Sequence, residues 1–297
     1  MTNDPKYGGV ALGMGTFLRG IVPVAVLFAS LLLFNRALTS IVRLALNDEK
    51  YSYLLTVPCL SIGLIFLRRR HIFAETEVWP LGAVSAATLS LTSYMLSRHM
   101  ASINAQWSLS LESLALILFW IAVFAAFFGR LPLKAAVFPL GFLVLFVPLP
   151  PSVITVAELA LQRASAEVSY MLMRSTGMPV FRDGLKFLLP GIEVEVAREC
   201  SGIRSSIGLT MASLLLGHLF LDSMWKQACF VGLTIPISIF KNALRIAMLS
   251  WLSVYVSRDA LMGALHHQGG PLFAMVGLAI QLLLLFALQR LPGRAVS

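Results

Sequence analysis

The sequence predicts an all-α integral membrane protein with about eight transmembrane helices, and three observations lead to this fold class. Of the 297 residues, 58% are hydrophobic and only 12% are charged, whereas soluble domains average about 45–50% apolar and about 25% charged residues. The apolar residues form runs close to the ~20 residues that a membrane-spanning helix needs. Basic residues lie mainly in the short connections between these runs, as in multi-pass membrane proteins. We therefore expect one polytopic membrane domain over residues 1–297.

Eight apolar runs are candidates for spans. No signal-peptide cleavage pattern accompanies the first run, so we expect it to be retained as a span. The fifth run is short and ends in "VPLPPS", where the prolines are expected to stop the helix. In chain order the runs cover roughly residues 20–35, 51–67, 79–97, 108–128, 135–150, 202–221, 227–250 and 271–289.

The basic residues of the connections predict the orientation of the chain. Cytoplasmic loops are enriched in lysine and arginine, and an N-in, C-in arrangement gives ten basic residues inside against five outside. The inner connections then hold Lys6, Arg19, Arg68, Arg69, Arg70, Arg130, Lys134, Lys226, Arg290 and Arg294, and the outer ones hold Arg36, Arg43, Lys50, Arg98 and Arg258.

One outer connection, residues 151–200, is much longer than the others. Its first part, Ile154–Met173, has helical periodicity with polar interruptions, which is typical of an interfacial helix. Its second part, Gly177–Val196, contains turn residues and a short β-like alternation at Ile192–Val196. We expect this connection to form a compact extracytoplasmic cap segment.

Charge and cysteine content argue against several function classes. The net charge of +9 does not indicate nucleic-acid binding, because the basic residues are spread through the connections and form no patch. The three cysteines, Cys59, Cys200 and Cys229, form no CxxC pair, which argues against a disulfide framework or a structural metal site. Cys59 and Cys229 lie within apolar runs and are interpreted as small buried hydrophobes. We expect no metal and no cofactor.

Reactive side chains converge at one depth of the predicted membrane. Cys200 lies at the outer start of the sixth span, and Arg245 lies near the outer end of the seventh. His266 and His267 lie at the outer start of the eighth. An arginine within an apolar run is costly and by default functional, although a structural ion pair with Glu199 or Glu112 would also explain Arg245.

These residue types suit nucleophilic catalysis. A helix N-terminus and a nearby cation both lower the pKa of a thiol, a histidine transfers protons near neutral pH, and an arginine stabilises an oxyanion. Gly202 removes side-chain bulk beside Cys200. Asn242, three residues before Arg245, shares its helical face. Arg204, four residues after Cys200, is the alternative to Arg245.

Three segments resemble the exosortase/archaeosortase family of polytopic membrane cysteine transpeptidases. They are "ECSGIRSS" (Glu199–Ser206), "NALRI" (Asn242–Ile246) and "LHHQGG" (Leu265–Gly270). The segments "NDEKYSY" (Asn47–Tyr53) and "FPLGFLVLFVPLP" (Phe138–Pro150) are also similar to segments of that family. The resemblance therefore covers most of the chain.

The resemblance implies a role for each motif. It implies Cys200 as the nucleophile, Arg245 as the catalytic arginine and a histidine of the third motif as the acid/base. The spacing to the Gly-Gly pair favours His266, with His267 as the alternative. Within the first two motifs it adds supporting residues around the nucleophile and the arginine, namely Glu199, Ser201, Gly202, Arg204 and Asn242.

The implied activity is processing of exported proteins that end in a sorting signal. Such a signal comprises a short motif (Pro-Glu-Pro in the bacterial branch), a transmembrane helix and a basic tail. The protein would be cleaved at the outer face of the inner membrane, held as a thioester and passed to an acceptor, a lipid or a polysaccharide. Two alternatives are a transporter in which Arg204, Lys241 and Arg245 line an anion path and a non-catalytic scaffold for export of envelope polysaccharide.

Overall fold

The structure is a computed structural model that describes residues 8–74, 79–196, 201–256 and 270–291, with the backbone alone for residues 8–20. The described chain is mainly helical and includes one small three-stranded sheet. It divides into two compact units, Met1–Pro151 and Ser152–Ser297. The single domain over residues 1–297 stays a prediction.

The first unit is built from helices, several of them short. Two 3₁₀ helices, Glu49–Leu55 and Leu143–Phe146, precede α3 and follow α8 respectively. Its α-helices are α1 (Gly8–Leu33), α2 (Asn35–Asn47), α3 (Thr56–Leu67), α4 (Arg69–Ile72), α5 (Pro80–Met100), α6 (Ala105–Phe128), α7 (Arg130–Ala135) and α8 (Val137–Phe142).

The second unit combines long helices with the sheet. The long helix α9 comes first, and the three strands follow it within the predicted cap segment. Its elements are α9 (Pro151–Ser175), β1 (Phe181–Asp183), β2 (Lys186–Leu189), β3 (Ile192–Glu195), α10 (Ile203–Phe220), α11 (Met224–Gly232), α12 (Thr234–Tyr255) and α13 (Gly270–Arg290).

Among the described residues, five helical segments are long and apolar enough to cross a membrane, and they agree with five of the predicted spans. These segments are Glu49–Leu67, Ala105–Phe128, Ile203–Phe220, Met224–Tyr255 and Gly270–Arg290. Two bent helix pairs, Ile21–Leu33 with Asn35–Asn47 and Val137–Phe146 with Pro151–Ser175, raise the number to seven if each pair is one span. A helical, multi-pass membrane fold is thus confirmed, whereas the count of eight spans and the orientation stay predictions.

The predicted span at residues 79–97 forms a helix, α5, but does not belong to those five segments. Serine side chains make this helix more polar, and three serine hydroxyls, two on α5 and one on α6, donate to backbone carbonyls of the other helix. The hydroxyls of Ser90 and Ser93 donate to the carbonyls of Ala115 and Leu111 at 2.7 and 2.8 Å, and Ser108 donates to Ser97 at 2.9 Å. Small hydroxyl residues let two helices approach closely in a membrane, so α5 and α6 form a tight hairpin.

The proline-rich end of the first unit is held by side chains of neighbouring elements. Tyr51 donates to the carbonyl of Leu149 at 2.8 Å, and Ser110 donates to that of Pro148 at 2.6 Å. Backbone carbonyls away from water need such partners. The prolines interrupt the helix as predicted, and these hydroxyls bond to the carbonyls left outside it.

The sheet of the second unit confirms the β-like alternation predicted at Ile192–Val196. The three strands are antiparallel in the order β1-β2-β3, with Phe187 opposite Val194 and Leu189 opposite Ile192. One face of the sheet packs on α9 and α12 in an apolar cluster of Ala166, Met173, Met178, Phe187, Leu189, Val196 and Ile246. The sheet and α12 therefore share one core.

The three helices α10, α12 and α13 are joined by one buried polar network. The side-chain amide of Gln281 donates to the carbonyl of Leu209 and to the hydroxyl of Thr234, each at 3.1 Å, and also to Ser213. The hydroxyls of Ser213 and Thr234 lie 2.6 Å apart. Interhelical hydrogen bonds of this kind stabilise helix packing in membranes.

Candidate functional site

The first motif leads into the N-terminus of α10, which begins after a glycine in the left-handed region. Gly202 has φ +72°, a conformation that side chains rarely adopt. Its carbonyl accepts hydrogen bonds from the hydroxyls of Ser205 and Ser206, each at 2.9 Å, and the Ser201 hydroxyl accepts from the N–H of Ile203 at 3.3 Å. This turn fixes the chain just after Cys200, and Cys200 and Glu199 themselves lie outside the described residues.

Gly202 also meets the second motif directly. A Cβ at this position would lie 3.1 Å from both Cγ and Oδ1 of Asn242, which is tighter than ordinary packing. Asn242 is buried, with 2% of its surface exposed. The absence of a side chain at position 202 therefore lets the start of α10 approach α12. Two motifs that are about forty residues apart in sequence are thus in contact.

The two candidate arginines differ in their surroundings. Arg245 is half-buried on α12, and its neighbour Ile246 belongs to the apolar cluster beneath the sheet. Arg204 is exposed on the first turn of α10. Both residues take part in interactions within the structure. A partly desolvated guanidinium interacts more strongly with a developing charge than an exposed one, and the assignment of the catalytic role to Arg245 rather than Arg204 stays a prediction.

Lys241 is a further cationic residue near the first motif, and from the sequence it was predicted only as part of an anion path and not of a catalytic site. Its ammonium donates a hydrogen bond to the hydroxyl of Ser205, and 3% of the residue is exposed. Its aliphatic stem packs on α13, where a Cβ at Gly277 would lie 3.1 Å from its Cδ. Lys241 precedes Arg245 by four residues and so shares its helical face. That spacing, "KNALR", is the signal that would have identified it.

The structure extends α12 beyond the predicted end of the seventh span. The helix continues for ten residues after Arg245, to Tyr255 rather than to residue 250, which is a length of about 15 Å. The extension has a packing reason: Val254 lies against the core of the sheet, and the rings of Trp251 and Tyr255 lie 5.2 Å apart. Arg245 therefore lies in the middle of α12 and not close to its end.

The remaining predicted groups are only partly described. His266 and His267 lie outside the described residues, and α13 begins shortly after them, at Gly270. Cys229 is half-buried, whereas Cys59 is exposed on α3, so the prediction that Cys59 is buried is wrong. On a membrane-spanning helix an apolar thiol can face lipid at little cost. Within the described ranges, no three His, Cys, Asp or Glu side chains are placed to hold a metal ion.

The fold and the contact between the motifs define a class: a multi-pass helical membrane protein with polar and cationic side chains where α10 meets α12. The chain matches the family described as transmembrane exosortase (Exosortase_EpsH) over residues 41–284, and it belongs to that family. No curated protein and no solved structure gives a significant match.

Proposed function

We propose that the protein is a membrane-embedded cysteine endopeptidase and transpeptidase, with Cys200 as the nucleophile, Arg245 as the oxyanion-stabilising residue and His266 as the general acid/base. The observation that carries this proposal is the contact of Gly202 with Asn242. This contact places Gly202, which is two residues after Cys200, against the face of α12 that also carries Arg245. Membership of the exosortase family agrees with this chemistry.

The proposed reaction has two half-reactions. The Cys200 thiolate attacks the carbonyl carbon of the scissile peptide, and the guanidinium of Arg245 binds the oxyanion that forms. The peptide C–N bond then breaks, the leaving amine takes a proton from the imidazolium of His266, and the substrate remains as a thioester. A hydroxyl or amine of the acceptor attacks this thioester, gives its proton to the imidazole, and restores the thiolate.

The proposed substrates are exported proteins whose C-terminus carries a short recognition motif, a transmembrane helix and a basic tail. The acceptor is a lipid or a polysaccharide, and the active site faces the periplasm from the inner membrane. A helical chain with several spans supports this assignment, because it meets its substrate's transmembrane helix within the same bilayer.

The test of the nucleophile uses a tagged reporter protein that ends in a Pro-Glu-Pro motif, a hydrophobic helix and a basic tail. Cys200→Ala is expected to abolish cleavage on a gel while the chain still inserts, since one thiol contributes little to the span. Cys59→Ser and Cys229→Ser are the matched controls and are expected to cleave normally. Normal cleavage by Cys200→Ala in cells without a second such enzyme would refute the cysteine mechanism and leave a scaffold role.

The same assay distinguishes the two arginines. Arg245→Lys is expected to lose at least 10²-fold in kcat, in the range found when an oxyanion donor is removed, because lysine lacks the planar two-pronged donor. Arg204→Lys is expected to lose less, since this side chain is exposed. The opposite order would assign the catalytic role to Arg204.

A further inference from the structure

Within the described residues, strand β3 has a partner strand along one edge only, and its outer edge presents backbone groups that can pair. In the described sheet β3 pairs only with β2. The N–H of Val196 donates to the carbonyl of Leu185 at 2.9 Å, and hydrogen-bonded and non-bonded pairs alternate along an antiparallel ladder. Glu193 and Glu195 therefore stand at non-bonded positions, where their N–H and C=O groups point away from β2.

Strand β3 is held in place by packing on the inner face of the sheet and by a hydrogen bond from α9. The side chains of Ile192, Val194 and Val196 pack towards the apolar cluster beneath the sheet, and the carbonyl of Val196 accepts a hydrogen bond from Gln162 of α9 at 3.0 Å. The side chains of Glu193 and Glu195 are exposed on the opposite face. A strand ordered in this way loses little conformational entropy when another strand pairs with it.

Strand β3 also shares its core with α12 and leads into the first motif. Val196 shares its cluster with Ile246, the residue that follows Arg245. Cys200 follows Val196 by four positions along the chain. A peptide paired with β3 would thus lie beside the strand that leads into the first motif and that shares its core with the helix of Arg245.

From this geometry we propose that the outer edge of β3 binds the substrate by strand addition: an extended peptide segment flanking the scissile bond pairs with the backbone of Glu193 and Glu195. This rests on the proposed function, since the peptide is the substrate of the same site. Main-chain pairing supplies affinity without requiring a particular side chain. It therefore suits an enzyme that acts on many proteins.

A second copy of the chain is a poorer occupant of this edge. Pairing two β3 edges would place the carboxylates of Glu193 and Glu195 beside those of the other copy, and like charges opposite each other destabilise a sheet. Charged residues on an edge strand are also a common protection against self-association. A peptide without this acidic pair does not meet that repulsion.

Proline substitution tests the pairing without touching the β2–β3 ladder. Glu193→Pro and Glu195→Pro each remove one outward N–H, and each is compared with alanine at the same position, which keeps it. One lost hydrogen bond is expected to lower kcat/KM for the tagged reporter about 2- to 10-fold relative to the alanine variant, mainly through KM. The control is Arg182→Pro against Arg182→Ala, which removes an outward N–H from the far edge, β1, and is expected to give equal rates.

A binding measurement separates this proposal from the proposed function. A photo-crosslinking residue at position 195 of the full chain carrying Cys200→Ala is expected to capture the reporter, although this variant does not cleave it. Capture of the reporter together with its cleavage would refute the cysteine mechanism but support binding of the substrate at the edge of β3. Two results would overturn strand addition at β3. One is that the proline variants match their alanine partners in KM and in crosslinking, and the other is that crosslinks form only between copies of the chain.

Discussion

At the scale of single residues, Gly202 determines how closely α10 approaches α12. Two separate constraints act there: the positive φ of +72° and the 3.1 Å that a Cβ would leave to Asn242. A residue with a Cβ in the left-handed region costs about 1–2 kcal/mol. Asn242 is also buried, so it has little room to move aside.

Gly202→Ala is therefore expected to lower the free energy of unfolding by about 1–2 kcal/mol from backbone strain alone. It is also expected to reduce the rate of cleavage by 10-fold or more, because the new Cβ displaces Asn242. A displacement of about 1 Å at an active site typically costs ~10²-fold in rate. Thermal unfolding in detergent and the cleavage assay measure the two effects. Gly208→Ala is the matched control, because a Cβ there meets nothing within 4 Å. Equal behaviour of the two variants would show that the close approach has no role.

The site shows what the sequence could and could not predict about individual residues. Gly202 and Asn242 were both predicted as supporting residues, and the structure shows that they are in contact, whereas their roles stay predictions. Lys241 was not predicted as part of the catalytic site, because its partner Ser205 comes from a different motif and its packing surface, Gly277, comes from the last helix. The four-residue spacing to Arg245 places Lys241 on the same helical face, but the contacts with Ser205 and Gly277 depend on tertiary structure.

At the scale of elements, the long apolar helices were predicted accurately from the sequence, and the short strands were predicted less accurately. Five predicted spans coincide with helical segments because an apolar run of about 20 residues has one stable form in a bilayer. The strands β1 and β2 were not predicted individually, although their turns are encoded. Gly184 (φ +60°) begins the first two-residue loop and Gly191 (φ +78°) follows a proline in the second, as type II′ and type II turns require.

The turn between α10 and α11 contains an ion pair with a pH-dependent contribution. The amino group of Lys226 lies 2.8 Å from the carboxylate of Asp222 and donates to the carbonyl of Leu291 at 3.0 Å. The hydrogen bond from Lys226 lowers the pKa of Asp222 below its usual 3.8. A lowered carboxyl pKa stabilises the fold above the unfolded pKa, and this stabilisation is lost as the pH falls through the folded pKa.

Asp222→Asn is accordingly expected to be less stable than the unsubstituted chain at pH 7, and the difference should shrink as the pH falls below 3.8. Thermal unfolding in detergent across that range measures it. Glu193→Gln is the control, because its partner Lys186, 2.9 Å away, is itself half exposed and such pairs contribute little. A difference that stays constant with pH would show that the carboxylate charge of Asp222 is not involved.

At the scale of the whole molecule, the orientation in the membrane determines on which side the proposed chemistry occurs. Reporter proteins fused after Ser152 or Asp183 are expected to report the outer side, and those fused after Arg70 or Arg294 the inner side, because lysine and arginine are retained in the cytoplasm. Paired alkaline phosphatase and fluorescent fusions measure this. A cytoplasmic signal at Asp183 would place the sheet, and Cys200 after it, on the wrong side for exported substrates.

The network around Gln281 has a consequence for how the protein is made. A chain leaves the ribosome from its N-terminus, so α10 and α12 enter the bilayer while α13 is still being synthesised. Ser213 and Thr234 can by then bond to each other, but the carbonyl of Leu209 and both hydroxyls gain the Gln281 amide only when the last helix arrives. The final helix thus completes the polar contacts of two earlier ones, and a chain released before residue 281 would lack the hydrogen bonds that join all three helices.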